Sequence, residues 1–392
     1  MLFVVPFMFL CIAPSAWGQA TVIFADDFEA AFAGWTLSGT PDWYTKDPKN
    51  GTHSISLREI ESIQRTVSTA CYQNITVSFY LGAKSLEGTE TVRALWYDGG
   101  AWNVLKAIAN GDPEEDGLLH YFAYALPASA ANNASFALRF EINGSNPQDF
   151  GYVDDAVVLG DLIQYTLSLA GSNGLVKVNG TPQSLPWSGS FDCGSVVNLE
   201  AVPDACYEYT SWSGDLSGSI NPTGITMDAN KAVTANFAIL QYTLSLAGSN
   251  GLVRVNGTPQ SLPWSGSFDC GSVVNLEAVP DSGWEFDGWS GDLVWGGTLL
   301  TVTMDASKSI TANFGEQPTL SLTKTGSGSV KVDGTLRALP WSGQFASGST
   351  VVLEAIPDSG WQFGGWTGDV TWAGATLTVT MDASKSITAN FS

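Results

Sequence analysis

QYTLSLAGSNGLVKVNGTPQSLPWSGSFDCGSVVNLEAVPD occupies residues 164–204, and residues 241–281 repeat it with one change, Lys177 becoming Arg254. A third, more diverged copy follows. Trp187, Trp264 and Trp341 recur at a spacing of 77, as do Trp212, Trp289 and Trp366, and Phe237, Phe314 and Phe391. A period this long marks a small domain copied in tandem and not a solenoid turn. In the first copy, residues 165–169, 175–178, 195–201, 207–212 and 232–237 alternate or are β-branched, which predicts strands. Gly171-Ser172-Asn173-Gly174, Asn179-Gly180 and Asp228-Ala229-Asn230-Lys231 separate them and supply the positive-φ positions of turns. No window offers an amphipathic helix. Each copy is predicted to bury one modest core of recurring Trp, Phe, Leu and Val, with Trp289 and Trp366 inside it. Pro186-Trp187-Ser188-Gly189 reads as a turn, which leaves Trp187, Trp264 and Trp341 either exposed or packed on a neighbouring module.

The rest of the chain is organised around this array. The reading is a secretory signal in residues 1–19, a β-sandwich over 21–162, and repeats over 164–239, 241–314 and 318–392. The signal rests on an apolar run over 2–13 and a plausible cleavage site at Ala16-Trp17-Gly18, although no basic residue follows Met1. That run is short for a membrane span, so no membrane insertion of the mature chain is expected. The net charge of −22 divides evenly: residues 20–163 and 164–392 each carry 19 acidic and 8 basic side chains. Such a chain is repelled by nucleic acid and by anionic lipid.

Cys193 and Cys206 fall within one repeat, whereas their equivalents in the third copy are Ser347 and Gly360. The simplest reading is a local Cys193–Cys206 disulfide in an oxidising compartment. Cys270 is then unpaired, joined to Cys71, or available to a second chain.

Residues 278–292, AVPDSGWEFDGWSGD, followed by residues 303–314, TMDASKSITANF, resemble the bacterial extracellular repeat related to the internalin B-repeat. That resemblance implies a small β-grasp-like or related all-β module of secreted and surface proteins. The first copy departs from the pattern at Ala205-Cys206-Tyr207 and lacks the tryptophan found at Trp295 and Trp372. The module before the repeats contains Phe24-Ala25-Asp26-Asp27-Phe28-Glu29, Gly34-Trp35 and the closing run Gly151-Tyr152-Val153-Asp154-Asp155-Ala156. It is similar to MAM-like and cleaved-adhesin-type jelly rolls, a resemblance that implies a two-sheet sandwich used in adhesion or glycan contact. The alternating strands and turn-rich spacing point to a sandwich independently.

Acidic residues cluster on the first and last predicted strands. Side-by-side packing would gather Asp27, Glu29 and Asp155, the oxygen-rich set that a structural Ca²⁺ takes; the alternative is a row of solvated charges that blunts a sheet edge. Trp43, Trp96 and Trp102 are the candidate ligand-binding rings, because an indole face stacks on the apolar face of a pyranose. Consecutive Trp96 and Tyr97 face opposite sides of a strand, so one of them belongs to the core. Catalytic motifs are missing: there is no Gly-x-Ser-x-Gly, no His-Glu-x-x-His and no phosphate loop. The two histidines, His53 and His120, both lie in the first module. The expectation is an all-β, secreted, non-catalytic protein whose head contacts an extracellular glycan or surface protein. The rival readings are a cell-envelope hydrolase with a catalytic first module, and a structural matrix protein.

Overall fold

The computed structural model describes residues 20–45, 48–49 and 51–392. The signal reading over residues 1–19 lies outside the described residues. No α-helix occurs among the described residues, which hold one 3-10 turn at Ala128–Ala130.

The first module contains eleven strands: β1 (Thr21–Asp26), β2 (Thr36–Ser38), β3 (Asp42–Tyr44), β4 (Ser54–Arg58), β5 (Ser62–Thr66), β6 (Tyr72–Lys84), β7 (Thr91–Tyr97), β8 (Trp102–Ala109), β9 (His120–Ala125), β10 (Ala137–Asn143) and β11 (Phe150–Leu162). One sheet runs β3-β4-β11-β6-β9, and the other β2-β5-β10-β7-β8. The long β11 serves two partners on one edge: Phe150–Val153 face β4, and Ala156–Gly160 face β1. The first and last strands therefore pair, as the acidic-cluster argument required. Alternation sends Ile55, Leu57, Val77, Phe79, Leu81, Phe140 and Val153 into the core between the sheets, each at most 1% exposed.

The first repeat contains β12 (Gln164–Ala170), β13 (Gly174–Val178), β14 (Thr181–Ser184), β15 (Trp187–Asp192), β16 (Val196–Pro203), β17 (Tyr207–Gly214), β18 (Thr223–Thr226) and β19 (Lys231–Ile239). One sheet is β15-β12-β19-β17, with β12 and β19 parallel, and the other is β14-β13-β16-β18. The next two repeats repeat this order strand for strand. Their cores are built as the periodicity predicts, around Trp289 and Trp366 at 2% and 1% exposure. Trp187 does not sit in a turn. It opens β15 half-buried, with its ring laid over Gly189, where a Cβ would come within 2.4 Å of the indole.

The cysteines correct the sequence reading. Cys71 pairs with Cys193, and Cys206 with Cys270. A Cys193–Cys206 bond is ruled out by the eight residues of β16 that run between them. A strand of that length spans about 26 Å, whereas the bonded Cα atoms lie 5.4 and 5.3 Å apart. Each bond instead joins one module to the next, beside a linker residue that ties both cysteines through its backbone. Ile163 N donates to Cys71 O, and Cys193 N donates to Ile163 O, both at 2.8 Å. Leu240 does the same between Cys206 and Cys270. At the third joint Gln317 N still donates to Gly283 O at 2.9 Å, but Gly283 and Ser347 stand where the cysteines would be. Cys71 and Cys206 both take φ of +68°, and Gly283 takes +85°. The joint thus demands a left-handed residue, which glycine supplies at least cost.

The chain divides into two compact units. One runs to Val202 and resumes at Thr210–Asn236; the other holds Pro203–Tyr209 and Phe237–Ser392. The Cys206–Cys270 bond explains why residues 203–209 group with the second unit.

Candidate binding cleft

A cleft of about 180 Å³ opens on the outer face of the β3-β4-β11-β6-β9 sheet, lined by Tyr44, Ser54, Lys84, Asp116, Gly117, Leu118, Leu119 and Tyr152. Strand register builds its floor. Because Ile55 and Leu57 enter the core, Ser54 and Ser56 face outward on β4. Tyr44 on β3 lies opposite Ser54, and Tyr152 on β11 lies opposite Ser56. The two tyrosine rings meet across β4 at 5.9 Å, 23° from parallel. Phe150 extends the row, stacked on Tyr152 at 5.9 Å, with the Arg58 guanidinium 5.0 Å above it. The rings bury both serines to 1% exposure or less, and neither hydroxyl has a protein partner. An unmade hydrogen bond on a buried hydroxyl costs about 1–3 kcal/mol, so both serines are a local cost of this register.

The opposite wall is the segment before β9. Gly117 N donates to Ala83 O at 2.9 Å. Leu118 crosses Gly82 so closely that a Cβ there would lie 2.2 Å from its carbonyl oxygen. Glycine at 82 is therefore what lets the wall sit down on the sheet. Asp116 Oδ1 accepts from Leu118 N at 2.9 Å and lies 3.0 Å from His120 Nε2. The His120 side chain, and after it the Leu118 N–H, hold the Asp116 carboxyl below the usual carboxylate range. The cleft thus offers two aromatic rings, one ammonium at Lys84 and one carboxylate at Asp116.

None of the three tryptophans singled out from sequence lines this cleft. Trp96 is a correction: it is 4% exposed and packs in the core, 5.9 Å from the Phe136 ring. The other member of its dipeptide, Tyr97, takes the outer face, 5.2 Å from Trp102. Trp102 belongs to the opposite sheet, with Arg139 5.4 Å from its ring. Trp43 is 43% exposed, but one of its faces is covered by His53 at 3.6 Å, and its Nε1 donates to Phe28 O at 2.6 Å. Sequence reasoning missed Tyr152, Ser54 and Lys84. The alternation Ser54-Ile55-Ser56-Leu57 against Phe150-Gly151-Tyr152-Val153 carried a signal for the first two.

The acidic candidates are placed as follows. β1 stops at Asp26, whose carboxylate accepts from Phe28 N at 2.9 Å and from Trp35 Nε1 at 2.8 Å. Alternation therefore does not extend to Asp27 and Glu29, which lie in the turn after the strand. Asp155 sits at φ +48° in a bulge of β11. Glu29 turns to Thr52 and His53: Oε1 accepts from both backbone N–H groups at 2.6 Å, and Oε2 accepts from Thr52 Oγ1 at 2.7 Å. Burial opposes its ionisation, but the hydrogen bonds from Thr52 and His53 outweigh that and hold its pKa down to about 2. Among the described residues no group of three His, Cys, Asp or Glu is placed to hold a metal ion. Both Glu29 oxygens accept hydrogen bonds from the Thr52–His53 segment.

Comparison with known proteins bears most directly on the repeats. The model of the divergent InlB B-repeat domain matches residues 165–241, 242–318 and 319–392, more than half of the chain. The chain belongs to the divergent InlB B-repeat family. No curated protein matches it. Among solved structures, TmCBM61 in complex with β-1,4-galactotriose is 13% identical, covering 34% of this chain and 94% of its own, with a TM-score of 0.28. The K3 cleaved adhesin domain of Lys-gingipain from Porphyromonas gingivalis is 15% identical, covering 36% and 100%, with a TM-score of 0.28. The Bacillus anthracis TIE protein is 6% identical, covering 91% and 73%, with a TM-score of 0.31. At these values the likenesses assign no ligand to this B-repeat protein. No helix among its described residues is long and apolar enough to cross a membrane.

Proposed function

We propose that this chain is a secreted or cell-surface, non-catalytic binding protein whose first module holds an uncharged glycan in the Tyr44–Tyr152 cleft. One observation carries the reading: two near-parallel tyrosine rings, Tyr44 and Tyr152, lining one cleft. Ring faces take the C–H face of a pyranose, and Lys84 and Asp116 on the cleft lining supply a donor and an acceptor for its hydroxyls. Lys84 and Asp116 balance each other in charge across the wall, and the chain's excess of 22 negative charges disfavours polyanions. The volume of about 180 Å³ matches one sugar ring, not a folded partner. Two disulfides favour an oxidising, extracytoplasmic location. The hydrolase alternative lacks support at the histidines: His53 is stacked on Trp43 beside Glu29, and His120 is paired with Asp116.

The test is affinity electrophoresis of the full chain in gels cast with soluble xylan, β-1,4-galactan or hydroxyethyl cellulose. Retardation by at least one polymer, lost in Tyr152→Ala and weakened in Tyr44→Ala, is expected. Retardation indifferent to both substitutions, or release of reducing ends from any polymer, would count against the reading.

A further inference from the structure

The repeats carry a second feature that the head cleft does not explain. Trp295 and Trp372 are 56% and 53% exposed, although the tryptophans six residues before them, Trp289 and Trp366, are buried. The loop that displays each ring is anchored by the buried one. Trp289 N donates to Trp295 O at 2.7 Å, Trp295 N returns a bond to Trp289 O at 3.3 Å, and Trp289 Nε1 donates to Gly297 O at 3.0 Å. In the last repeat the same three bonds are 2.7, 3.2 and 3.1 Å. The Nε1 edge of each exposed indole approaches a glycine. A Cβ at Gly297 would sit 2.6 Å from Trp295 Nε1, and one at Gly374 2.7 Å from Trp372 Nε1. In the last repeat the indole N–H is spent internally, on Thr376 O at 2.8 Å.

The first repeat acts as a built-in control. Trp212 anchors its loop in the same way, through Gly218 O at 2.7 Å and Ile220 O at 3.0 Å. Yet Gly218 stands where the exposed tryptophan would be, and Ile220 where the glycine would be. The fold therefore does not need the exposed ring, and the glycine accompanies the ring. The apolar neighbours of Trp295 are not kept either: Val294 and Leu299 become Thr371 and Thr376 in the last repeat. What the two copies share is the half-exposed indole itself; the exposed apolar neighbours Val294 and Leu299 belong to one copy alone.

We infer that Trp295 and Trp372 are a pair of equivalent stacking platforms for the pyranose faces of an uncharged polysaccharide, separate from the head cleft. The choice of occupant follows from what is conserved between the two copies. A lipid surface or a protein hot spot would use the flanking apolar side chains, and the last repeat has replaced them with threonines. A polymer of repeating sugars presents the same pyranose face to each platform, and where one strand reaches both, the two weak sites reinforce each other.

The experiment uses the full chain with the head cleft disabled by Tyr44→Ala and Tyr152→Ala, so that failure of the head reading and failure of this one are told apart. It is run through the same three polysaccharide gels. Retardation is expected to persist in that background, to fall about tenfold or more in Trp295→Gly or Trp372→Gly, and to vanish in the double variant. Glycine is the residue the first repeat already carries, so folding should hold, checked by near-ultraviolet circular dichroism. A second pair, Gly297→Ala with Gly374→Ala, tilts the rings without deleting them and should weaken retardation as well. The inference is overturned if the cleft-disabled chain is not retarded by any polymer, or is retarded equally with and without the two rings. It is also overturned if the rings prove to drive binding to phosphatidylcholine vesicles or self-association instead.

Discussion

The head and the repeats treat aromatic side chains in opposite ways. In the head the useful rings, Tyr44 and Tyr152, sit on strands and face outward because register places them there, while Trp96 on β7 of the opposite sheet turns inward. In the repeats the strand-borne Trp289 and Trp366 fill the core, and it is a loop that carries the exposed rings of Trp295 and Trp372. The difference teaches that exposure follows from the element and its register, not from the residue type. A strand decides by alternation; a loop decides by what it lies against, here a glycine.

That contrast breaks most directly in stability. Trp289→Ala or Trp366→Ala removes a core ring and should cost about 3–5 kcal/mol, whereas Trp295→Ala should change stability by less than about 0.5 kcal/mol. Urea denaturation followed by circular dichroism separates them, and equal costs would refute the division of roles. Next in size are the staples. Cys71→Ser or Cys270→Ser should lower stability by about 2–4 kcal/mol by freeing the unfolded chain. Reduction should leave the third joint unaffected, since Gly283 and Ser347 occupy it. Non-reducing peptide mapping should recover the Cys71–Cys193 and Cys206–Cys270 pairs; a Cys193–Cys206 peptide would contradict the described joints.

A smaller effect concerns the head turn at Glu29. Its folded pKa, about 2, lies below its ordinary 4.5. The stabilisation is therefore complete above pH 4.5 and is lost as the pH falls towards 2. The melting temperature of the head transition should fall over that window, and Glu29→Gln should flatten the dependence. The smallest expected effect is that of calcium. With both Glu29 oxygens engaged, millimolar Ca²⁺ should raise the melting temperature by less than about 1 °C. A rise of several degrees that disappears in Asp27→Ala or Asp155→Ala would show that the turn rearranges around an ion.

Much of this was open to reading in the sequence, for reasons of periodicity. Identical residues at a spacing of 77 specify a copied module, and period-two alternation specifies strands and their buried faces, because both are local properties of the chain. The residue pattern alone therefore established an all-β repeat protein with Trp289 and Trp366 inside it. The disulfides were half legible: residues 195–201 already read as a strand, and a strand between Cys193 and Cys206 holds them too far apart to bond. Their true partners lay in neighbouring modules, at separations of 122 and 64 residues, and no local rule reaches that far. The cleft depended on tertiary structure for the same reason. Tyr44, Ser54 and Tyr152 come from three strands distant in sequence, and only the hydrogen-bonded register of β3, β4 and β11 stacks two rings over one hydroxyl.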